Sequence, residues 1–189
     1  MSDTDLHTRA GLPEALRVLL KDYPREAWEA DPAFSDLIRF WLERHMMFRR
    51  LMDILGSEAE ASLDGKMEPT VFGAHLARYG RLLTQELHAH HSIEDHHYFP
   101  RMKALDARIA SGFDVLDRDH HAIDSHLAVF VEAANAVLQA IGEGEAHRDP
   151  LGAHRDGLIR LKGFLHRHLE DEEELVVPVL LKYAPSGLV

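Results

Sequence analysis

Apolar residues recur every three or four positions along most of the chain, and this spacing constrains the fold more than any other feature of the sequence. One stripe begins at Phe113 and continues through Leu127 and Val137 to Ile141. Such spacing gives a helix one apolar face, whereas no segment shows the period-two alternation of a strand. The pattern predicts an all-α chain, with long helices over roughly 33–55, 69–104, 113–141 and 150–183 and a short helix over roughly 13–22.

Glycine and proline divide the stripes into separate helices. Gly56 and Gly65 follow the first helix, and Pro150 suits the first turn of the last one. Four long helices joined by modest loops indicate an antiparallel up-down four-helix bundle. We therefore expect a bundle over residues 33–184, preceded by an N-terminal extension over residues 1–32 that carries the short helix.

The composition excludes several classes of protein. The chain of 189 residues has a formal net charge of −11, so its field does not attract a nucleic-acid backbone or an anionic membrane surface. It has no cysteine, which excludes disulfides and thiolate metal sites. No apolar run approaches the roughly 20 residues of a membrane span, and the N-terminus has no signal-peptide core. We therefore expect a soluble, cytoplasmic protein that binds neither nucleic acid nor membranes.

Histidines interrupt the apolar stripes, and the chain holds 15 of them. His45 and His120 fill gaps in the first and third stripes, while His90 and His168 extend the second and fourth. A single core histidine is usually satisfied by a hydrogen bond, but uncompensated polar groups in a bundle core are unfavourable. Four imidazoles on four facing stripes indicate a shared partner, and a metal is the natural one.

Two of these histidines begin a pair with a glutamate four residues later, on the same face of the helix. The pairs are His90 with Glu94 and His168 with Glu172. In both, a proline follows six residues after the glutamate, at Pro100 and Pro178. The pair of His166 and Glu170 lacks that proline, which separates it from the other two. Each proline is expected to kink or end its helix.

The chain contains the same unit twice. A helix with one inward histidine is followed by a helix with an inward His-x-x-x-Glu pair. Folding the two units together brings four histidines and two glutamates to one level, a donor set that suits two iron or manganese ions. Each glutamate can bridge both ions. The predicted ligands are His45, His90, Glu94, His120, His168 and Glu172.

The second pair lies in an acidic run, residues 170–174. A charge run on a helix is usually a solvated face. We expect only Glu172 of this run to point inward.

The order of these residues resembles the hemerythrin-like, or HHE cation-binding, domain family over roughly residues 33–183. The stretches HHSIEDHHYFP and HLEDEEELVVP look like the second and fourth helix signatures of that family. The resemblance implies a four-helix bundle with a non-haem di-iron centre, in which two iron ions share an oxo or hydroxo bridge and manganese or zinc are alternatives. It also implies the same six ligands and an interaction with oxygen, peroxide or nitric oxide.

Oxygen-carrying hemerythrins have a further histidine four residues after the third-helix ligand, where this chain has Asp124. This departure argues against simple reversible oxygen carriage and makes Asp124 an auxiliary candidate at the metal. His91 and Tyr98 are two more auxiliary candidates. A shifted pair of His91 with Asp95 is an alternative to the predicted pair in the second helix.

Several functional classes stay open on the sequence. The leading class is a di-iron sensor or a redox or peroxidase-type protein, and the alternatives are metal storage or iron donation and a non-catalytic, partner-binding bundle. A ferritin-like oxidase is disfavoured because its Glu-x-x-His pair occurs here only once, at Glu94 and His97. The sequence decides neither whether the protein is an enzyme nor its oligomeric state.

Overall fold

A computed structural model of the protein describes residues 4–184. Regular structure in this range is helical throughout, with no strand, which confirms the predicted all-α class. Four long helices correspond to the four predicted ones, and a fifth, short helix belongs to the predicted second helix. In chain order the α-helices of the described range are α1 (Asp36–Leu63), α2 (Pro69–Ile93), α3 (Phe99–Lys103), α4 (Ala110–Glu143) and α5 (Arg148–Tyr183).

The first long helix is longer than the spacing predicted. α1 passes through Gly56 without a break, because a single glycine costs a helix only about 1 kcal/mol relative to alanine. It ends near Gly65, whose φ of 68° favours a residue without a side chain. The backbone N–H groups of Gly65 and Lys66 donate to the carbonyls of Ser62 and Ala61, which closes the helix end.

The second predicted helix contains a turn of different geometry. α2 gives way to one turn of π-helix over Glu94–Tyr98, and α3 continues from there. The N–H of Phe99 donates to the carbonyl of Glu94, five residues back. Pro100 follows at the start of α3, where a missing N–H is tolerated. Pro178, in contrast, lies inside α5 and does not end it.

Packing divides the described chain into two compact units. The first unit contains the described chain through Met46, together with His90–His121 and the chain from His166 onward. The second contains Met47–Ala89 and Ala122–Leu165. α1 runs from the first unit into the second, α2 returns, and α4 and α5 repeat this traverse. Each of the four long helices therefore contributes residues to both units.

The first unit has an apolar core that the N-terminal residues help to build. Leu12, Leu19 and Trp28 are buried there in one cluster with Trp41 and Phe113 of the long helices. The predicted short helix is absent from the described chain as an α-helix. In its place the segment forms two 3₁₀ turns, Glu14–Leu16 and Val18–Lys21, and a third 3₁₀ turn, Arg25–Ala30, follows it.

The second unit packs around aromatic and aliphatic side chains and also buries a histidine. Phe48 and Phe72 are fully buried in this unit. His154 is also fully buried and packs against Phe130, with ring centroids 5.3 Å apart. Within the described residues neither nitrogen of His154 has a hydrogen-bond partner. Burial lowers the pKa of His154 to about 4, so its imidazole is neutral at pH 7.

One helix of the described chain, α4, is long and apolar enough by length and composition alone to cross a membrane. The sequence pattern did not predict such a segment. α4 also buries Phe113, Leu116 and Ile123 and brings Asp119 and His120 into a buried polar cluster. This amphipathic pattern is typical of the core helix of a helical bundle.

Candidate metal centre

Seven side chains of types that can bind metal converge inside the first unit. They form two clusters, and within each cluster the ligand atoms all lie within 4.8 Å of one another. Every one of the seven side chains is buried. The first cluster, called the three-histidine cluster, is His91, His120 and His168; the second, called the mixed cluster, is His45, His90, Glu94 and Glu172.

Helix spacing places a histidine beside a glutamate in two pairs, one that begins on α2 and one on α5. Nε2 of His90 lies 3.1 Å from Oε1 of Glu94, which begins the π-helical turn. Nε2 of His168 lies 3.3 Å from Oε2 of Glu172 on α5. Residues four apart share one face of a helix, so each pair presents a nitrogen and a carboxylate in the same direction.

Each glutamate reaches both clusters. Glu94 places Oε1 near His90 of the mixed cluster, and its Oε2 lies 3.6 Å from Nε2 of His120 in the three-histidine cluster. Glu172 places Oε1 3.3 Å from Nε2 of His45, and its Oε2 faces His168. A carboxylate whose two oxygens face two different donor groups can offer one oxygen to a cation at each group.

The unsatisfied atoms of the centre fit a metal. Both carboxylate oxygens of Glu94, Oε2 of Glu172 and the Nε2 atoms of His120 and His168 are buried and take part in no hydrogen bond with the described residues. Buried polar groups without partners are rare in folded proteins because they forfeit their hydration. Carboxylate oxygens and imidazole nitrogens that face one another without hydrogen bonds are satisfied together by a bound cation.

A buried imidazole resists protonation unless a carboxylate compensates for the lost hydration. Burial holds the pKa of His90 and of His91 well below the usual value. Burial acts on His168 as well, but Asp119 and Glu172 outweigh it and raise its pKa to about 9. The metal-free centre is therefore a mixture of neutral and charged imidazoles.

The two glutamates have opposite pKa shifts. Burial, with the nearby charge of Glu172, raises the pKa of Glu94 well above its usual value. Burial also acts on Glu172, but His45 and His168 outweigh it and hold its pKa well below the usual range. Without a metal, the surroundings therefore favour the protonated form of Glu94 and the ionised form of Glu172. A cation between them favours the ionised form of both.

Three imidazoles of the centre use Nδ1 to donate to a carboxylate outside the two clusters, which fixes the ring and leaves Nε2 directed inward. Two of these carboxylates come from α4 and α5, and the third from the π-helical turn. The pairs are His45 with Glu173 at 3.0 Å, His120 with Asp95 at 2.7 Å and His168 with Asp119 at 3.4 Å.

The acidic run on α5 is largely buried, so the expectation that only Glu172 points inward is wrong. Asp171 is fully buried and Glu173 is 2% exposed. Both are covered by the N-terminal residues, which place Arg9 against Asp171 and Arg25 against Glu173. Burial of a carboxylate is less unfavourable when an arginine forms an ion pair with it at hydrogen-bond distance.

The structure brings together all six of the predicted ligand side chains. It also places His91 among them, although the sequence indicated His91 only as an auxiliary candidate. The choice between His90 and His91 does not arise, because the two residues belong to different clusters. Asp95, the alternative acid, instead accepts the hydrogen bond from His120.

The other two auxiliary candidates lie outside both clusters. Tyr98 packs edge-on against Trp41, with ring centroids 5.0 Å apart. Asp124 is partly buried and belongs to the second unit.

Sequence reasoning missed the groups that hold the ligands. Asp119 and Glu173 are sequence neighbours of predicted ligands, and neighbours point in different directions on a helix, so no spacing singled them out. Trp41 was detectable, because it lies one turn before His45 on the same face. Its Nε1 donates to Oε1 of Glu172.

Comparison with known proteins identifies one family. The family model of the hemerythrin HHE cation-binding domain matches residues 36–180. No curated protein and no solved structure matches the chain.

Proposed function

Because the chain belongs to the hemerythrin HHE cation-binding domain family, we propose that it is a non-haem di-iron protein that interacts with oxygen, peroxide or nitric oxide. One observation carries this proposal. Two clusters of buried histidines share two glutamates, and each glutamate faces both clusters. This is the arrangement expected of two cations with carboxylate bridges.

The proposed ligand assignment follows the clusters. His91, His120 and His168 would hold one ion, and His45 and His90 the other. Glu94 and Glu172 would bridge them.

The donor set is compatible with iron, and iron is the metal that we propose. Imidazole and carboxylate together suit iron, zinc and manganese, and the chain has no cysteine to select a softer ion. When bound, iron supplies the one-electron and oxygen chemistry that amino-acid side chains lack. Zinc would leave a structural site without redox chemistry.

The two clusters do not provide equal numbers of nitrogen ligands. Three histidines serve one ion and two serve the other, so the ion at His45 and His90 has fewer protein ligands. We expect this ion to keep a position for a small molecule. Buried aromatic rings limit water at the centre, since Phe99 stacks on His120 and also packs against Phe113.

The carboxylates behind the histidines favour retention of iron over its donation. Hydrogen bonds from Nδ1 to Asp95, Asp119 and Glu173 hold the imidazoles in one orientation. Such outer partners typically contribute about 10–100-fold to metal affinity. A protein that donates iron is better served by ligands that can rotate away.

Reconstitution with ferrous iron tests this function. The metal-free chain is loaded without oxygen, and its optical spectrum is recorded after oxygen, hydrogen peroxide or nitric oxide is added. We expect two irons per chain and a new visible band with at least one of the three molecules. His120→Ala should abolish the band, whereas His97→Ala, which changes an exposed neighbour of the centre, should keep it.

Two results would contradict the proposal. Tight binding of two irons with no spectral response to any of the three molecules would favour metal storage. A chain that binds no iron would favour a partner-binding bundle.

A further inference from the structure

We propose that the N-terminal arm, defined as residues 4–31, is part of the metal centre. Through Arg9 and Arg25 it positions one ligand histidine of each cluster, acting through a buried carboxylate in both cases. This inference rests on the proposed metal-binding function. The arm lies before residue 36, where the match to the family begins.

Arg9 acts toward the three-histidine cluster. Its guanidinium is buried and holds both oxygens of Asp119, with Nη1 donating to Oδ1 at 2.8 Å and Nη2 donating to Oδ2. Oδ2 of Asp119 accepts from Nδ1 of His168 at 3.4 Å. The fork of the arginine therefore sets the plane of the carboxylate that orients this imidazole.

Arg9 also ties the arm to the helix that carries His168. Its Nε donates to Oδ2 of Asp171 at 2.7 Å, and the backbone N–H of Leu12 donates to Oδ1 of Asp171 at 2.9 Å. Three donors of the guanidinium are thus used on two buried carboxylates from two helices. A lysine could supply the charge at this position but not the three directed hydrogen bonds.

Arg25 acts toward the mixed cluster. Its Nη1 donates to Oε2 of Glu173 at 2.6 Å, and Oε1 of the same carboxylate accepts from Nδ1 of His45 at 3.0 Å. The guanidinium lies over the ring of Trp28, with its central carbon 4.7 Å from the ring centroid. Trp28 is buried in the core of the first unit, so its ring restrains the position of the guanidinium that packs on it.

The arm also contains an internal control. Arg17 donates to Oε2 of Glu174 at 2.5 Å, so it forms the same kind of contact with the same acidic run. Glu174 belongs to neither cluster and is only partly buried. Arg17 therefore shares the charge and the location of the other two arginines but not the connection to a ligand.

The consequence is that the arm restrains imidazoles in each of the two clusters. Nδ1 of His168 and Nδ1 of His45 each face a carboxylate whose own position depends on an arginine of the arm. When the arginine is lost, the carboxylate can turn toward water, and the imidazole loses the contact that fixes its ring. Metal affinity falls when such outer contacts are removed, typically by about 10–100-fold.

Release of iron from the full-length, iron-loaded chain tests the arm. The variants are Arg25→Gln, Arg9→Lys and the control Arg17→Gln, and the rate of iron transfer to an excess of a ferrous chelator is measured. We expect release about 10–100-fold faster for Arg25→Gln and Arg9→Lys, and within about twofold of the parent for Arg17→Gln. Arg25→Lys should restore the parent rate, because the single contact with Glu173 needs only one donor.

Nuclear magnetic resonance of the metal-free chain separates a role in positioning from a role in folding. With ¹⁵N-labelled histidine, Arg25→Gln should shift the Nδ1 signal of His45, and Arg9→Lys that of His168. Arg17→Gln should shift neither. If the Arg9 variant does not fold, Arg25→Gln tests the proposal alone.

The proposed function and this inference fail in different ways. A parent chain that holds no iron would overturn the function. A parent chain that holds two irons, with Arg25→Gln releasing them no faster than Arg17→Gln, would overturn the role of the arm. Unchanged histidine signals in Arg25→Gln would overturn it as well.

Discussion

Two adjacent histidines at the end of α2 face different clusters, and only one was predicted as a ligand. His90 belongs to the mixed cluster, and His91 stacks on His120 with ring centroids 3.9 Å apart. Side chains at neighbouring positions of an α-helix point about 100° apart. Both side chains of such a pair therefore reach one site only where that site extends around the end of the helix. His91 supplies the third imidazole of the three-histidine cluster.

The first prediction concerns His91. Replacing it with alanine removes one of three nitrogen ligands, and we expect bound iron to fall from about two per chain to about one. His97→Ala is the matched control, since His97 is exposed and lies in the π-helical turn beside the centre. Iron is counted after reconstitution and removal of excess metal. Two irons per chain in His91→Ala would show that His91 is not a ligand.

The second prediction concerns His154, the buried imidazole of the second unit. Its pKa of about 4 lies below the value of the unfolded chain, so protonation favours unfolding as the pH falls from about 6.5 to 4. We expect His154→Leu to raise the free energy of unfolding by roughly 1–2 kcal/mol at pH 7, with a larger gain at pH 5. Urea unfolding at both values measures this change.

Exposed His88 in α2 provides the control for that substitution. His88→Leu should change the free energy of unfolding by less than about 0.5 kcal/mol at either pH. A lower free energy of unfolding for His154→Leu at both pH values would contradict the prediction that burial of this imidazole is unfavourable.

At the scale of the elements, side-chain spacing predicted the helices but not their local geometry. The apolar stripes predicted four long helices, because a helix with one apolar face buries that face by packing against other helices in a bundle. The predicted first helix was too short because it was ended before Gly56. A single glycine among good helix formers interrupts a helix only weakly. The π-helical turn at Glu94 was missed too, because hydrogen bonding to the fifth residue instead of the fourth leaves no periodic mark.

The candidate site was predictable for a related reason. The repeat of a lone histidine and a His-x-x-x-Glu pair depends on spacing within a helix, and the sequence displays it directly. The hydrogen bonds to Asp119 and Glu173 depend on which helices pack together. The contacts of Arg9 with buried carboxylates depend on the N-terminal segment, whose sequence has no helical periodicity. These contacts exist only in the folded chain.

The third prediction separates the two prolines of the repeat. Pro178 lies inside α5, where it removes a backbone hydrogen bond, so we expect Pro178→Ala to stabilise the protein by about 1–3 kcal/mol. Pro100 lies in the first turn of α3, where proline is tolerated. Pro100→Ala should destabilise slightly, by about 0.5–1 kcal/mol, through the greater freedom of the unfolded chain. Thermal or urea unfolding compares the signs, and equal effects would contradict this account.

Across the whole molecule, proton and metal binding compete at the centre. His168 has a folded pKa of about 9 in the metal-free protein, above the value of about 6.5 in an unfolded chain. Its contribution to stability is fully present below pH 6.5 and is lost as the pH rises through 9. The same imidazole must lose its proton before it can bind metal.

The fourth prediction follows from this competition. The metal-free protein should lose up to about 3 kcal/mol of stability from His168 between pH 6.5 and 9, whereas the iron-loaded protein should not. Iron loading at pH 7 should release protons, and iron should be lost at mildly acid pH. Calorimetry in buffers of different ionisation enthalpy counts the protons. Loading without proton release would contradict this prediction.

The central claim is that two ions occupy the centre, bridged by Glu94 and Glu172. Crystals of the iron-loaded chain, measured on both sides of the iron absorption edge, test this claim most directly. We predict two iron peaks, each with imidazole nitrogens at about 2.0–2.3 Å, one bound by the three-histidine cluster and the other by His45 and His90. A single peak, or iron bound away from the two glutamates, would contradict the account.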